Sequence, residues 1–284
     1  MAFRWLLGDW VRQRVHKTAR EKLSEASEQA ESHRSSAPEP PCEVGIVFAL
    51  GIEAGGVEDL LEGVVRIRGH GFAVCRGTLK GRHVALVKAG TGREAAAHAT
   101  EALIAGHRPT WVISAGFAGG LSPEVEKHDL VMGDSLVSSS GDQLTIDLKV
   151  DPEALAETPG VHVGRLLCVD AIVRTPAEKR RWGEAHQALA VDMETFAVAE
   201  VCRRRKVRFL AIRIVSDAVD DALPGDVGRI AHQKSLAAKF GAVVGAVWNR
   251  PSSVKDMLRL KEDALIASGR LARFLVSVIE QLAN

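Results

Sequence analysis

The stretch RFLAIRIVSDAVDD, residues Arg208 to Asp221, runs from an apolar segment directly into a cluster of three carboxylates. A short apolar run rich in Ile and Val predicts a buried strand. The chain is therefore expected to leave a core near Val215 and to meet Asp217, Asp220 and Asp221 at once. Such a cluster is open to three interpretations: a solvated loop, a metal site, or one functional acid beside two others.

Other apolar runs of this kind alternate with helical patterns along the chain. The strand-like runs are EVGIVFAL (43–50), HVALVKAG (83–90), TWVISAG (110–116), DLVMGDSLV (129–137), RLLCVD (165–170) and LAVDM (189–193). Helical patterns such as EAAAHATEALIAG (94–106) and TFAVAEVCRRR (195–205) lie between them. This alternation predicts an α/β fold in which a mixed, largely parallel central sheet lies between two layers of helices. Sites in such folds form at the carboxyl ends of strands.

The composition favours a cytoplasmic protein with a small-molecule ligand. The chain has 284 residues, of which 46% are hydrophobic and 26% charged, as in ordinary globular proteins. Its net charge of +1 argues against a nucleic-acid partner, which would require a strongly basic surface. The four cysteines, Cys42, Cys75, Cys168 and Cys202, are scattered and form no CxxC motif. Neither a zinc site nor a disulfide framework is therefore predicted.

The two ends of the chain differ from its centre. Residues 1–32 predict an amphipathic helix with a basic polar face. This helix either contacts an anionic membrane surface peripherally or packs on the parent domain or a partner subunit. Residues 33–43 form a Ser- and Pro-rich linker, and residues 44–284 are expected to form the α/β domain, which closes with a long helix from about Val254 to Leu282. No run approaches the ~18 apolar residues that a transmembrane helix needs.

Glycines and carboxylates gather at the strand ends. The glycine-rich stretches are AGTGREAAAHAT (89–100) and SAGFAGGL (114–121), and neither fits a Walker loop or a dinucleotide-binding motif. Glu53, Glu194 and Asp217 each follow an apolar strand-like run. One such acid alone is as readily a helix cap or a solvated loop residue. Three of them at one edge of a sheet can converge on a single crevice.

Five segments together carry a resemblance to a known family. They are GIVFALGIEAGGVEDL (45–60), AGTGREAAAHAT (89–100), SAGFAGGLSPEVEKHDLVMGD (114–134), VDMETFAVAEVC (191–202) and FLAIRIVSDAVDD (209–221). In order and approximate spacing they resemble the purine nucleoside phosphorylase and nucleosidase superfamily, most of all the 5′-methylthioadenosine/S-adenosylhomocysteine nucleosidases. The match covers about Glu43 to Trp248. It implies a nucleoside phosphorylase-like fold, a purine nucleoside substrate, a homodimer, and no metal or organic cofactor.

The resemblance also implies roles for individual residues. Asp217 is the general acid toward the purine, because cleavage of an N-glycosidic bond expels a purine anion unless a ring nitrogen receives a proton. Ser216 orients the Asp217 carboxyl. Glu53 activates the attacking water, in a two-carboxylate scheme like that of inverting glycosidases. Glu194 binds the ribose hydroxyls, with Met193 against the face of the sugar.

The remaining candidate residues line the substrate. By the same resemblance Ile172 and Val173 line the adenine, with the backbone of Val173 at its edge. Gly116 and Phe117 lie beside the sugar, and Ala89 lies near the water. Asp220 and Asp221 are expected to belong to the following loop or cap, since adjacent loop acids without other ligands give no metal coordination pattern.

Residues at two positions favour hydrolysis over phosphorolysis. Ser114 and Phe117 stand where related phosphorylases carry an Arg and a Ser for phosphate, and neither side chain replaces a guanidinium as an anion clamp. The predicted reaction is therefore hydrolysis of a 5′-substituted adenine nucleoside with release of adenine. Ala89 replaces a Ser common in the nucleosidases, and SSSGDQLTID (138–147) lacks their His-Asp pattern.

These departures leave two alternatives open. The segment WNRPSSVKDMLRLKEDALIASGRLARFL (248–275) resembles the hopanoid-associated phosphorylases. One alternative is therefore a phosphorylase or nucleosidase that acts on a bulky apolar adenosyl compound at a membrane. The other is a catalytically inactive protein that binds a nucleoside or serves as a scaffold.

Overall fold

A computed structural model describes residues 41–68, 73–148, 158–223 and 252–282. The predicted N-terminal helix (1–32) and all of the predicted linker (33–43) except its last three residues lie outside these ranges. The strands are β1 (Val44–Phe48), β2 (Glu62–Arg68), β3 (Ala73–Leu79), β4 (Arg82–Lys88), β5 (Trp111–Gly120), β6 (Leu130–Ser138), β7 (Gln143–Thr145), β8 (Val161–Cys168), β9 (Ala190–Asp192) and β10 (Arg208–Asp217). The helices are α1 (Gly51–Glu58), α2 (Arg93–His107), α3 (Pro176–His186), α4 (Thr195–Arg205) and α5 (Ser252–Gln281).

The strands form one mixed sheet. On one side of β5 the order is β1, β4, β3, β2, with β1 parallel to both β5 and β4 and the last strands antiparallel. On the other side β5, β10, β6, β8 and β9 pair in turn, and β9 pairs with β5. These five strands therefore close into a ring, while β7 extends β6. The predicted α/β fold with a mixed sheet is confirmed.

Helices cover both faces of the sheet because side chains alternate along each strand. In β1, Ile46 and Phe48 pack in a cluster with Ala54 of α1 and Leu271 of α5. Val47 points to the opposite face. There it belongs to a second cluster that includes Ala96, Ala99 and Leu103 of α2 and Val198 and Cys202 of α4. The arrangement is the predicted three-layer one.

The strand-end positions are fixed by this packing. The ends of β5 and β10 lie side by side, since Val215 pairs with Ala118 and Asp217 with Gly119 across a register shift. Helix α1 begins directly after β1 and carries Glu53. All four cysteines are buried and unpaired. Among the helices in the described ranges, none combines the length and apolar character needed to cross a membrane.

Candidate active site

Asp217 ends β10 and is buried, with 7% of its surface exposed. Ser216 Oγ donates a hydrogen bond of 2.5 Å to Asp217 Oδ1 and also lies 3.2 Å from the carbonyl oxygen of Ala118. A Cβ atom at Gly119 of β5 would lie 3.2 Å from Asp217 Oδ2, so the carboxyl rests against the glycine backbone. The predicted contact between Ser216 and the acid is present in the structure.

A lysine lies against the same carboxyl. Lys179 Nζ is 2.5 Å from Asp217 Oδ2, and the Lys179 side chain has no exposed surface. It also donates hydrogen bonds to the carbonyl oxygens of Ala218 (2.7 Å) and Asp221 (2.9 Å). The contact with Oδ2 is short but lacks the angles of a hydrogen bond, and Oδ2 has no hydrogen-bond partner among the described residues. The pair is therefore an ion pair at close range.

Glu53 belongs to α1, and its carboxyl lies against β5 at Gly116 and Phe117. Its Oε1 accepts a 2.9 Å hydrogen bond from the backbone N–H of Phe117, and its Oε2 accepts one of 2.7 Å from Leu50. A Cβ atom at Gly116 would lie 2.8 Å from Glu53 Oε1, so only glycine leaves room for this carboxyl. Burial raises the pKa of Glu53, although the two N–H donors and the charge of Arg213 oppose the rise. A buried, oriented carboxyl of this kind suits a general base.

Glu194 comes from the turn between β9 and α4. Its Oε1 accepts a 2.7 Å hydrogen bond from the backbone N–H of Gly92, which sits at the N-cap of α2 with φ of 98°. Burial raises the pKa of Glu194 to about 7, and the nearby charge of Asp192 adds to the rise. The charge of Arg213 opposes this rise in the pKa of Glu194, and the charge of Glu53 adds to it. Glu194 and Glu53 are therefore close enough for their charges to interact.

Arg213 neutralises part of this acidic site. It is 2% exposed in the middle of β10, and its Nε donates to Asp192 Oδ2 at 2.5 Å. Its Nη2 donates to Ser114 Oγ (2.8 Å) and to Thr195 Oγ1 (2.6 Å), while Nη1 donates to the carbonyl oxygen of Ile212. Every guanidinium nitrogen is thus engaged inside the protein. Thr195 Oγ1 in turn donates to Asp192 Oδ2.

The other predicted residues have different surroundings. Phe117 is half-buried against the large core cluster, and its backbone N–H contacts Glu53. Val173 is buried in a cluster with Leu121, Val169 and Val191, whereas Ile172 is half-buried. Any contact of Val173 with a base would therefore come from its backbone.

Two further predicted residues lie near the carboxylates in the chain. Met193 is half-buried immediately before Glu194. Ala89 is half-buried, and its N–H donates to the carbonyl oxygen of Phe48.

The other two acids of the opening cluster serve the loop after β10. Asp220 is exposed and pairs with Arg180 of α3. Asp221 Oδ2 accepts a 2.8 Å hydrogen bond from the backbone N–H of Ala218. Both acids are fixed by local contacts.

Sequence reasoning missed three residues of this site: Lys179, Asp192 and Arg213. The sequence does carry a signal for Arg213, because an arginine within the apolar strand RFLAIRIVS needs a buried partner. Nothing in PAEKRRWGEAH (176–186) separates Lys179 from the two arginines that follow it.

A family model described as the phosphorylase superfamily matches residues 43–247. The chain belongs to this superfamily. Three solved structures illustrate the similarity, and at their low identity they support the fold alone.

The first is the 5′-methylthioadenosine/S-adenosylhomocysteine nucleosidase of Neisseria meningitidis in complex with methylthio-immucillin-A. It is 20% identical with a TM-score of 0.65, and the match covers 84% of this chain and 99% of that one. The S-adenosylhomocysteine nucleosidase of Streptococcus pyogenes is 18% identical, with a TM-score of 0.65 and coverage of 87% and 100%. The futalosine hydrolase of Helicobacter pylori is 18% identical, with a TM-score of 0.63 and coverage of 85% and 98%.

Proposed function

We propose that this superfamily member hydrolyses the N-glycosidic bond of a 5′-substituted adenine nucleoside, of the methylthioadenosine or adenosylhomocysteine type, and releases adenine. The observation that carries the proposal is the placement of two carboxyls against one strand. Glu53 lies over Gly116 and Asp217 over Gly119. Both contacts lie in the second half of β5, whose end pairs with the end of β10, so an acid and a base are brought to one edge of the sheet.

The reaction divides between the two carboxyls. A water molecule attacks C1′ of the ribose and gives a proton to Glu53. The bond between C1′ and the purine nitrogen breaks, and its electron pair stays on the purine. A ring nitrogen of the purine takes a proton from Asp217, so adenine leaves as a neutral molecule. Glu194 accepts hydrogen bonds from the ribose hydroxyls and holds the sugar while positive charge develops on it.

Three further residues would complete the substrate contacts. Met193 packs against the sugar face, Phe117 covers the sugar from β5, and Ile172 lies along the adenine ring. A homodimer and peripheral membrane contact through residues 1–32 remain predictions from the sequence.

The charges of the site support water over phosphate as the nucleophile. A phosphate near the ribose would meet Glu53, Asp192 and Glu194 as like charges. Arg213, the cation beside them, already donates to Asp192, Ser114 and Thr195. An anion clamp needs a guanidinium with a free pair of donors, and both the Nε and the Nη2 of this one are already engaged.

Adenine release from a panel of nucleosides tests the proposal. The panel contains methylthioadenosine, adenosylhomocysteine, adenosine, inosine and an adenosyl compound with a bulky apolar 5′ group, each with and without phosphate. We expect phosphate-independent release of adenine, fastest from one of the thioether nucleosides. A strict phosphate requirement would reverse the choice of nucleophile. Release from the bulky compound alone would replace the substrate class, and binding without release would indicate an inactive fold.

A further inference from the structure

Lys179 is a fully buried lysine whose ammonium group contacts three oxygen atoms. These are Asp217 Oδ2 and the carbonyl oxygens of Ala218 and Asp221. Lysines are almost never fully buried unless they are paired. Helix α3 also packs tightly against the backbone after β5, because a Cβ atom at Gly183 would lie 2.4 Å from the carbonyl oxygen of Leu121. Helix α3 therefore holds this ammonium against the candidate general acid.

The ion pair raises a problem for the chemistry of Asp217. An adjacent ammonium favours the ionised form of a carboxyl. An ionised carboxylate has no proton to give to a leaving purine. The hydroxyl of Ser216, on the other oxygen, is too weak an acid to supply one. The nearest acidic proton is on Lys179 Nζ, 2.5 Å away.

We propose that Lys179 is a positioning residue that supplies the proton Asp217 delivers to the purine, an inference that rests on the hydrolase function proposed above. An N–H bond of Lys179 breaks and an O–H bond forms at Asp217 Oδ2, after a small rotation that aligns the two groups. That O–H bond then breaks as the purine nitrogen takes the proton. The pair ends as a neutral amine and a carboxylate. After product release Lys179 regains a proton from solvent and Glu53 loses the one it took from water.

The two hydrogen bonds and the one ion pair of Lys179 fit both states of this relay. An ammonium has three N–H groups, and three oxygens lie within 2.9 Å of Nζ. After the transfer the amine keeps two N–H groups for the carbonyl oxygens of Ala218 and Asp221. Its lone pair is then free to face Asp217. The buried amine is therefore satisfied in either state, which lowers the cost of moving the proton.

The charged groups of the loop after β10 have partners of their own. On β5, Gly119 lies against the Asp217 carboxyl and brings no titratable side chain to it. On the loop, Asp221 is held by a backbone N–H. Asp220 pairs with Arg180 of α3 at the surface.

The pH dependence of kcat in the wild-type enzyme is the first test. The substrate is the nucleoside from which the protein releases adenine fastest. We expect no fall in kcat as the pH is raised from 5 to 8, because Asp217 takes its proton from Lys179 and not from solvent. A fall in kcat as the pH is raised across this range, as expected for an acid that solvent must protonate, would overturn the proposal. This measurement needs no variant and so does not depend on folding.

The second test compares Lys179→Met with Arg180→Met, its exposed neighbour. Without Lys179, Asp217 must take its proton from solvent, so kcat at pH 8 should fall by about 10²-fold. The deficit relative to the wild type at the same pH should shrink as the pH is lowered. Arg180→Met should keep the wild-type profile. A loss that is the same at every pH would mean that Lys179 only anchors the loop, and an unchanged profile would also overturn the relay. No adenine release by the wild type would instead refute the hydrolase function itself.

Discussion

Asp217 tests the proposed chemistry at a single side chain. Asp217→Asn keeps the shape of the residue and its contact with Ser216, but the amide can neither accept a proton nor deliver one to the purine. We expect kcat to fall by at least ~10²-fold, the usual scale for loss of a general acid. Adenine release measures the effect, and thermal unfolding reports whether the fold is kept. Asp220→Asn, at the exposed pair with Arg180, is the matched control and should leave kcat unchanged. Turnover near the wild-type value would remove Asp217 from the mechanism.

Glu194 sets the expected response to acid. Its pKa is raised to about 7, because of burial first and the charge of Asp192 second. Only the ionised form accepts hydrogen bonds from both ribose hydroxyls. We therefore predict that kcat/KM rises about tenfold per pH unit below pH 7 and levels off above it. The pH profile of kcat/KM measures this directly.

A variant tests whether the fall in kcat/KM below pH 7, the acidic limb of the profile, comes from Glu194. Glu194→Gln should lower kcat/KM at pH 8 and remove the limb near pH 7. Any fall in kcat/KM on acidification that remains in this variant is then assigned to protonation of Glu53, whose pKa is also raised. A Glu194→Gln profile that keeps its limb near pH 7 would assign that limb to another group.

At the scale of the element, strand β5 leaves room for both carboxyls because Gly116 and Gly119 have no side chain. Gly116→Ala adds a Cβ atom 2.8 Å from Glu53 Oε1 and must displace the base. We predict a loss of kcat of at least about tenfold with the fold retained. Gly55→Ala in α1 is the control, since a Cβ atom there meets nothing within 4 Å. That change should leave kcat unaltered and stabilise α1 by up to about 1 kcal/mol. Equal activity of the two variants would contradict the placement of Glu53.

The elements also show what the sequence could and could not predict. The strands β1, β5, β6 and β10 are continuous apolar runs, and the acids at strand ends follow from their position in the chain. Strands β2 and β3 were not predicted, because charged residues and glycine interrupt EGVVRIR and AVCRGTL at the edge of the sheet. Lys179 was missed for a different reason. Its contact with Asp217 joins helix α3 to the end of β10, and no local pattern marks the one buried cation among three.

For the whole molecule, the position of Glu53 depends on the C-terminal helix. Helix α1, which carries Glu53, packs against α5, and Ser268 Oγ of α5 accepts a 3.2 Å hydrogen bond from the backbone N–H of Gly56. Leu271 of α5 has no exposed surface and belongs to the same core cluster as Ala54 and Val57 of α1. The base of the proposed reaction is thus supported by a segment far away in the chain.

Leu271→Ala tests this dependence. Truncation of a fully buried leucine should lower the free energy of unfolding by about 2–5 kcal/mol, because it removes apolar contacts and leaves a cavity beneath α1. Urea unfolding measures the change. Leu265→Ala, on the same helix but 54% exposed, should alter stability by no more than about 0.5 kcal/mol. We also expect Leu271→Ala to lower kcat in the folded protein, since α1 and its carboxylate lose part of their support. Equal stability of the two variants would show that α5 does not complete the core.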